Sequence, residues 1–365
     1  MILQATAAVI NHVLVRSTWI EVFGGQIIKV GQGLHPNPDR QIDGILLPGF
    51  IDMHCHGGGG YYFSSNSDTE IKKVISTHRE HGSTGIVASL VTQPISELKR
   101  QIVQLRPFFK TGEILGIHLE GPYLSQAQCG AHDASLLLTP NIAEIAELVD
   151  LAEGALSMVT IAPELPGAIE VINYLTSHGV RVALGHTNGS YADARNGTEA
   201  GAKIITHYLN AMNKELGDGT FSSYVLADER LMIELILDGH HIPFATAAEI
   251  LKRMGSRAVL ISDAMAAAAS LDGDYLIGNL EVKVDDGVAR LKSNAVLAGS
   301  TLTLAQAFLN AIYETNLSVP QAVALVSANP AKALGKADRG AISVGMRADL
   351  ISFDLENKAI NLIHF

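Results

Sequence analysis

Cysteine is almost absent: Cys55 and Cys129 are the only two in 365 residues. Two cysteines in so long a chain exclude a disulfide framework and fit a reducing cytoplasm. Long apolar runs are missing as well. No stretch of about 18 apolar residues occurs, so no membrane span is expected. The opening Met-Ile-Leu-Gln-Ala-Thr has no basic region ahead of an apolar one, so no signal peptide is expected either. Positive charge is scarce, with 26 Lys and Arg against 37 Asp and Glu and a net charge of −11. That balance argues against nucleic acid or an anionic membrane as the main partner. It leaves room for a small anionic substrate, which needs only local positive charge. What is abundant is apolar side chain: 47% of residues are hydrophobic and 17% charged, enough to fill a large core. The length permits one large domain or two smaller ones.

From about Thr69, short β-rich runs alternate with longer helical ones. Eight runs read as core strands: Ile45–Met53, Gly85–Val91, Ile114–Leu119, Ser157–Ile161, Val180–Leu184, Lys203–Thr206, Leu231–Leu237 and Ala258–Ser262. Helices are predicted between them, among others over Asp68–His81, Pro166–His178 and Tyr191–Ala200, each followed by a glycine. Eight such alternations predict an α/β chain folded as a (β/α)₈ TIM-like barrel. An open doubly wound sheet is the alternative. The ends differ. Residues 1–44 hold short alternating segments (Trp19–Phe23, Gln26–Val30), and residues 340–365 hold two more (Gly340–Val344, Asp349–Asp354). Both ends together read as a small β-sandwich domain, with the barrel spanning 45–339. A β-hairpin insertion is expected near 275–291, turning at Asp285-Asp286-Gly287.

The ligand-type residues fall where the proposed strands end. Ile45–Met53 runs into His54 and His56, an i, i+2 pair that a strand projects to one side. Ile114–Leu119 contains His118 and ends at Glu120. Val180–Leu184 leads to His186, Lys203–Thr206 to His207, and Ala258–Ser262 to Asp263. Barrel enzymes keep reactive groups on this one rim. Imidazole nitrogen and carboxylate oxygen suit zinc, iron(II) or a similar divalent ion. Glu120, His186 and His207 are assigned to one ion; His54 and His56 are assigned to a second, with Glu120 bridging. Asp263 is assigned as general base and acid. His118 reads as a buried, hydrogen-bonded core residue. Gly57–Gly60 reads as close packing beside the His pair, with a phosphate cradle as the alternative. Cys55 points away from its neighbours into packing, and Cys129 sits in a loop, Gln126–His132, as a candidate exposed thiol. His12, His35, His78, His81, His178 and His364 read as solvated.

The longer motifs match a known family. They are Leu47-Pro48-Gly49-Phe50-Ile51-Asp52, Gly116-Ile117-His118-Leu119-Glu120-Gly121-Pro122, Gly130-Ala131-His132 and Gly185-His186-Thr187. Thr206-His207 with Asn210-Ala211-Met212, Asp238-Gly239-His240-His241, Ser262-Asp263-Ala264-Met265 and Leu297-Ala298-Gly299-Ser300 continue the series. Over nearly its whole length the chain resembles the N-acetylglucosamine-6-phosphate deacetylases, a branch of the amidohydrolase superfamily. The resemblance implies removal of acetate from an N-acetylated amino sugar by metal-activated water, with one or two divalent ions (zinc or iron). It implies that His132 polarises the acetamide carbonyl. Asn210 and Ala211 would contact the sugar or its phosphate, His241 the phosphate, and Ala298, Gly299 and Ser300 would belong to the same substrate face. A homodimer is implied, since a neighbouring subunit helps hold the phosphate. One departure stands out. An arginine expected shortly after Asn-Ala-Met is missing from Asn213–Thr220, leaving Lys214 or Arg230 to supply the charge. Other amidohydrolase activities, on a cyclic amide or a dipeptide, are disfavoured because Ser157–Ile161 is followed by Ala162-Pro163-Glu164, with no lysine to bridge two metals.

Overall fold

The computed structural model describes residues 1–215 and 217–364. Leu216, in the stretch that lacks the arginine, and Phe365, at the end of the terminal segment, lie outside it. Eight parallel strands follow one another in sequence order: Phe50–Cys55, Ser83–Val91, Gly116–Glu120, Leu156–Ile161, Arg181–Leu184, Ile204–Ile205, Met232–Ile236 and Ala258–Ile261. The last strand returns to the first. Asp263 N–H donates to the His54 carbonyl at 2.9 Å, Cys55 and Ala264 form a parallel bridge, and Ser262 N–H donates to Asp52 Oδ1 at 3.2 Å. The sheet is a closed (β/α)₈ barrel, as the alternation predicts.

Helices wrap it because their apolar residues recur on one face. In Asp68–Glu80 the buried set is Ile71, Val74, Ile75, Thr77 and His78. The helices expected over 166–178 and 191–200 form as Ala168–Ser177 and Tyr191–Glu199. Ser190 and Asp193 close a reciprocal cap on the second.

A separate six-stranded sheet joins the two termini, in the order Ala359–Leu362, Leu350–Asp354, Arg40–Pro48, Ile2–Ile10, Val13–Phe23, Gln26–Gln32. One face packs on the barrel through Leu47, Ile351 and Phe353, the last with its ring 5.1 Å from that of Phe308. The other face buries Leu3, Ile20, Ile27 and Leu46.

Three expectations are corrected. The strand over Ile45–Met53 is two strands. Pro48 has no N–H; Gly49 N–H donates to the Asp349 carbonyl in the terminal sheet, and Phe50 N–H donates to Gly82 in the barrel. The chain therefore changes sheets at Gly49, where any side chain would overlap Thr84. Gly340–Val344 forms no strand: its Ile342 is buried, but the backbone turns through Gly345, at φ +89°, and meets Ile27 by single hydrogen bonds. The inserted hairpin is a three-stranded sheet, Gly273–Ile277, Leu280–Asp285 and Val288–Leu291, because Gly278 makes an extra turn. Its second turn falls at Asp286 and Gly287, both with positive φ, as their sequence predicts.

Candidate active site

Strand alternation sends His54, His56 and Glu120 to the barrel's open end, and the residues just past strand ends complete the rim. His186, His207 and Asp263 reach it through left-handed backbone at φ 47°, 26° and 47°. That conformation is costly for residues with a Cβ and is retained where function requires it.

Glu120 is the centre. Its Oε1 lies 3.0 Å from His186 Nε2 and 3.0 Å from His207 Nε2, and those two nitrogens are 3.1 Å apart. Its Oε2 lies 3.1 Å from His56 Nε2 and 3.3 Å from His132 Nε2. His54 Nε2 is 3.1 Å from His56 Nε2 and 3.5 Å from Glu120 Oε1. Asp263 Oδ1 stands 3.3 Å from His56 and 3.4 Å from His54. Two triads able to hold a metal result, Glu120–His186–His207 and His54–His56–Glu120, sharing the one carboxylate. The 3.0–3.1 Å spacings fit a small ion: bonds of about 2.0–2.1 Å in a tetrahedron put ligands roughly 3.3 Å apart. One imidazole of the first triad is oriented for it. His186 Nδ1 lies 2.9 Å from the Gln128 carbonyl, which only accepts, so its Nε2 keeps the lone pair.

Burial and charge oppose each other here. Burial pushes the Glu120 carboxyl up, but His54, His132 and His186 outweigh it and hold it well below the usual range. Burial likewise pushes Asp263 up, and the His54 charge and His56 hydrogen bond bring it down to about 2. His54 and His207 are lowered by burial, yet the surrounding carboxylates raise both above an ordinary histidine. Burial keeps His186 at about 4, a neutral ligand.

A model of the Amidohydrolase family matches residues 45–364. This chain is an amidohydrolase. It is 33% identical to the N-acetylglucosamine-6-phosphate deacetylase of Vibrio furnissii, over 84% of this chain and 78% of that protein. It is also 33% identical to the N-acetylgalactosamine-6-phosphate deacetylase of Escherichia coli O157:H7, over 85% and 84%. A mutant N-acetyl-D-glucosamine-6-phosphate deacetylase of Mycobacterium smegmatis, solved in complex with N-acetyl-D-glucosamine-6-phosphate, superposes with a TM-score of 0.95 at 39% identity, covering 99% of this chain and 96% of that one.

A cavity of about 490 Å³ opens over the amidohydrolase's triads. His132, Asn210, Ala211, Lys214, His241 and Gly299 line it; Ala298 and Ser300 lie behind its wall, Ser300 N–H donating to the Asp263 carbonyl at 2.8 Å. His241 Nδ1 is 2.7 Å from Asp238 Oδ2, which fixes its ring. Arg230 is not on the lining. Its Nε donates to Asp228 Oδ1 at 2.9 Å and its guanidinium also holds Tyr224, so it supplies no charge to the cavity. His118 is fully buried between Ser89 and Thr160, at 3.0 and 2.8 Å.

The glycine loop is packing and not a phosphate cradle. The N–H groups of Gly57, Gly59 and Gly60 donate to the carbonyls of Ala264, Ala268 and Ala266, and a side chain on Gly57 would overlap the Tyr61 carbonyl. His78, expected in solvent, is fully buried, because the apolar face of its helix turns it inward to the Gly57 carbonyl, 2.8 Å from Nε2. Cys129 is half-buried on the cavity wall rather than exposed. Thr92 escaped the sequence reading: its N–H donates to His132 Nδ1 at 3.3 Å, which leaves the ring proton on Nε2. Glu234 escaped it too, although a single acid inside Met-Ile-Glu-Leu-Ile is itself a signal, since a charge buried in an apolar strand needs a partner.

Proposed function

We propose that this amidohydrolase hydrolyses the acetamide of N-acetylglucosamine-6-phosphate, giving glucosamine-6-phosphate and acetate. The observation that carries the reading is convergence: His54, His56, His132, His186 and His207 come from four places in the chain to one carboxylate, Glu120, with Asp263 beside the first two. The relatives named for the 6-phosphates of two N-acetyl hexosamines support it. Glu120, His186 and His207 would hold one divalent ion and His54 and His56 a second, zinc or iron(II) by donor chemistry. A bound ion supplies Lewis acidity, bringing the pKa of water towards neutrality and polarising the carbonyl.

The rest is done by side chains. Asp263, beside His54 and His56 and so beside the ion they would hold, takes the proton of the attacking water and returns it to the amide nitrogen as the C–N bond breaks. His132 donates from Nε2 to the carbonyl oxygen as charge develops there. Asn210, Ala211, His241 and Lys214 hold the sugar and its phosphate, with Gly299 on the lining beside Asp263 and Ala298 and Ser300 supporting it from behind. Among the described residues lining the cavity, Lys214 is the only lysine or arginine. That observation supports a second reading, a different or unphosphorylated N-acetyl hexosamine. The proposal includes a homodimer, as in the family it resembles, and a cytoplasmic setting that suits two free cysteines.

Acetate release from N-acetylglucosamine with and without its 6-phosphate, and from N-acetylgalactosamine-6-phosphate, tests this. The phosphorylated glucosamine derivative is expected to lead the plain sugar by about 100-fold in kcat/KM, the worth of one or two charge-assisted hydrogen bonds. Equal rates would transfer the assignment to the second reading; no acetate from any of the three would end both.

A further inference from the structure

One carboxylate at the site has no part in the chemistry above. Glu234 lies in the middle of Met232–Ile236, with Ile233 and Leu235 beside it, and its side chain has no exposure. An ionised carboxylate buried in an apolar strand is destabilising unless its oxygens are partnered. One oxygen is partnered twice. Oε2 lies 3.0 Å from His54 Nδ1 and accepts the backbone N–H of His207 at 3.3 Å. The other, Oε1, has no hydrogen-bond partner. A position filled for packing alone would carry another aliphatic side chain.

The contact with His54 has a chemical consequence. An ionised carboxylate only accepts, so it keeps a proton on His54 Nδ1, and when the ring gives up its other proton to bind an ion the lone pair is on Nε2. Nε2 is the nitrogen facing His56, Glu120 and Asp263. The His118 ring packs edge-on at 4.6 Å but cannot compete for His54, since Ser89 and Thr160 take both its nitrogens. The partner ring lacks such support: His56 Nδ1 is buried with no hydrogen bond. In the opposite triad His186 is oriented by the Gln128 carbonyl, while His207 Nδ1 has no hydrogen bond; that triad meets Glu234 only at the His207 backbone N–H, not at an imidazole nitrogen.

We infer that Glu234 is a positioning residue that fixes the tautomer and ring of His54 and so builds the second ion site, the one on the His54–His56 side. This rests on the two-ion reading above. Its charge acts through His54 and reaches no substrate atom. Removing it selectively weakens one ion site, whereas a purely structural role would weaken both or neither.

The experiment is a zinc titration of metal-stripped protein by calorimetry, wild type against Glu234→Gln, which keeps the shape and an acceptor oxygen but not the charge. Wild type is expected to take two zinc ions per chain. Glu234→Gln is expected to bind the first within about threefold of wild type and the second 10–100-fold more weakly, the usual range for loss of a carboxylate behind a ligating histidine. Two unaltered sites in the variant, or equal loss at both, overturns the role of Glu234. Fewer than two sites in wild type overturns the two-ion reading and this inference with it, a distinguishable result. A second measurement does not need Glu234→Gln to fold. Zinc-loaded wild type labelled with ¹⁵N-histidine should show a solvent-protected Nδ1–H resonance, assigned to His54 by its loss in His54→Asn. A His54 ring with its proton on Nε2 overturns the inference.

Discussion

Asp263 combines two properties that a proton carrier in a hydrolase needs. It is buried enough to be dry, at 7% exposure, and close enough to His54 and His56 to stay ionised. Asp263→Asn keeps the volume and a polar contact but loses the proton acceptor. It is expected to lower kcat by about 10²–10⁴ while zinc content, measured by elemental analysis, stays at the wild-type level. Normal turnover would remove Asp263 from the reaction. The residues legible in the sequence were those whose type and strand-end position coincide, such as Glu120 and His207. Those that escaped act through other groups. Thr92 works by a backbone N–H, which every residue but proline has, and Gln128 by a carbonyl, so neither side chain announces the role.

At the scale of elements, the first helix and the glycine loop lock together through His78. Burial lowers this imidazole to about 4, below the ordinary 6.5. The folded chain therefore keeps it neutral, while the unfolded chain protonates it below about 6.5. Its contribution to stability is full above pH 6.5 and is lost as pH falls through about 4. His78→Asn removes that proton uptake. Urea unfolding of metal-stripped protein from pH 7 to pH 4 should show the gap between wild type and variant narrowing by roughly 3 kcal/mol; a constant gap would show that His78 does not titrate on unfolding. The elements themselves were legible wherever apolar period and a stop signal agreed, as in Asp68–Glu80. They were misread where a hydrogen-bond partner lies far away in sequence. Nothing local says that Gly49 donates to Asp349 while Phe50 donates to Gly82, so two strands of different sheets read as one. Nor does Ile342 show by itself that its burial comes without a strand.

Across the whole molecule, the triads gather side chains from the first, fifth and sixth barrel strands onto the carboxylate of the third, with Asp263 of the last strand beside His54 and His56. An ion bound there ties those strands together and binds only the folded state. Zinc at 100 times its Kd should add about 2.7 kcal/mol of stability. Chelation should lower the unfolding temperature by a few degrees, zinc should restore it, and Glu120→Gln should abolish the response; an unfolding temperature indifferent to zinc in wild type would contradict the site. No helix among the described residues is long and apolar enough to cross a membrane. The barrel was legible because eight alternations leave few topologies, while its cleft wall, with Ile277 from the three-stranded insertion and Val296 from the loop after it, was not, because loop packing has no period.

The seam of the barrel, where Asp263 N–H meets the His54 carbonyl and Ala264 meets Cys55, coincides with the reactive centre. During synthesis, the stretch carrying His54 leaves the ribosome some two hundred residues before the stretch that pairs with it, counted along the chain from 54 to 263. A chain that stops short of the seam thus lacks both its proton carrier and the closure of its barrel, though every triad residue is already made. Premature termination upstream of Asp263 should yield inert product, whatever local structure it retains.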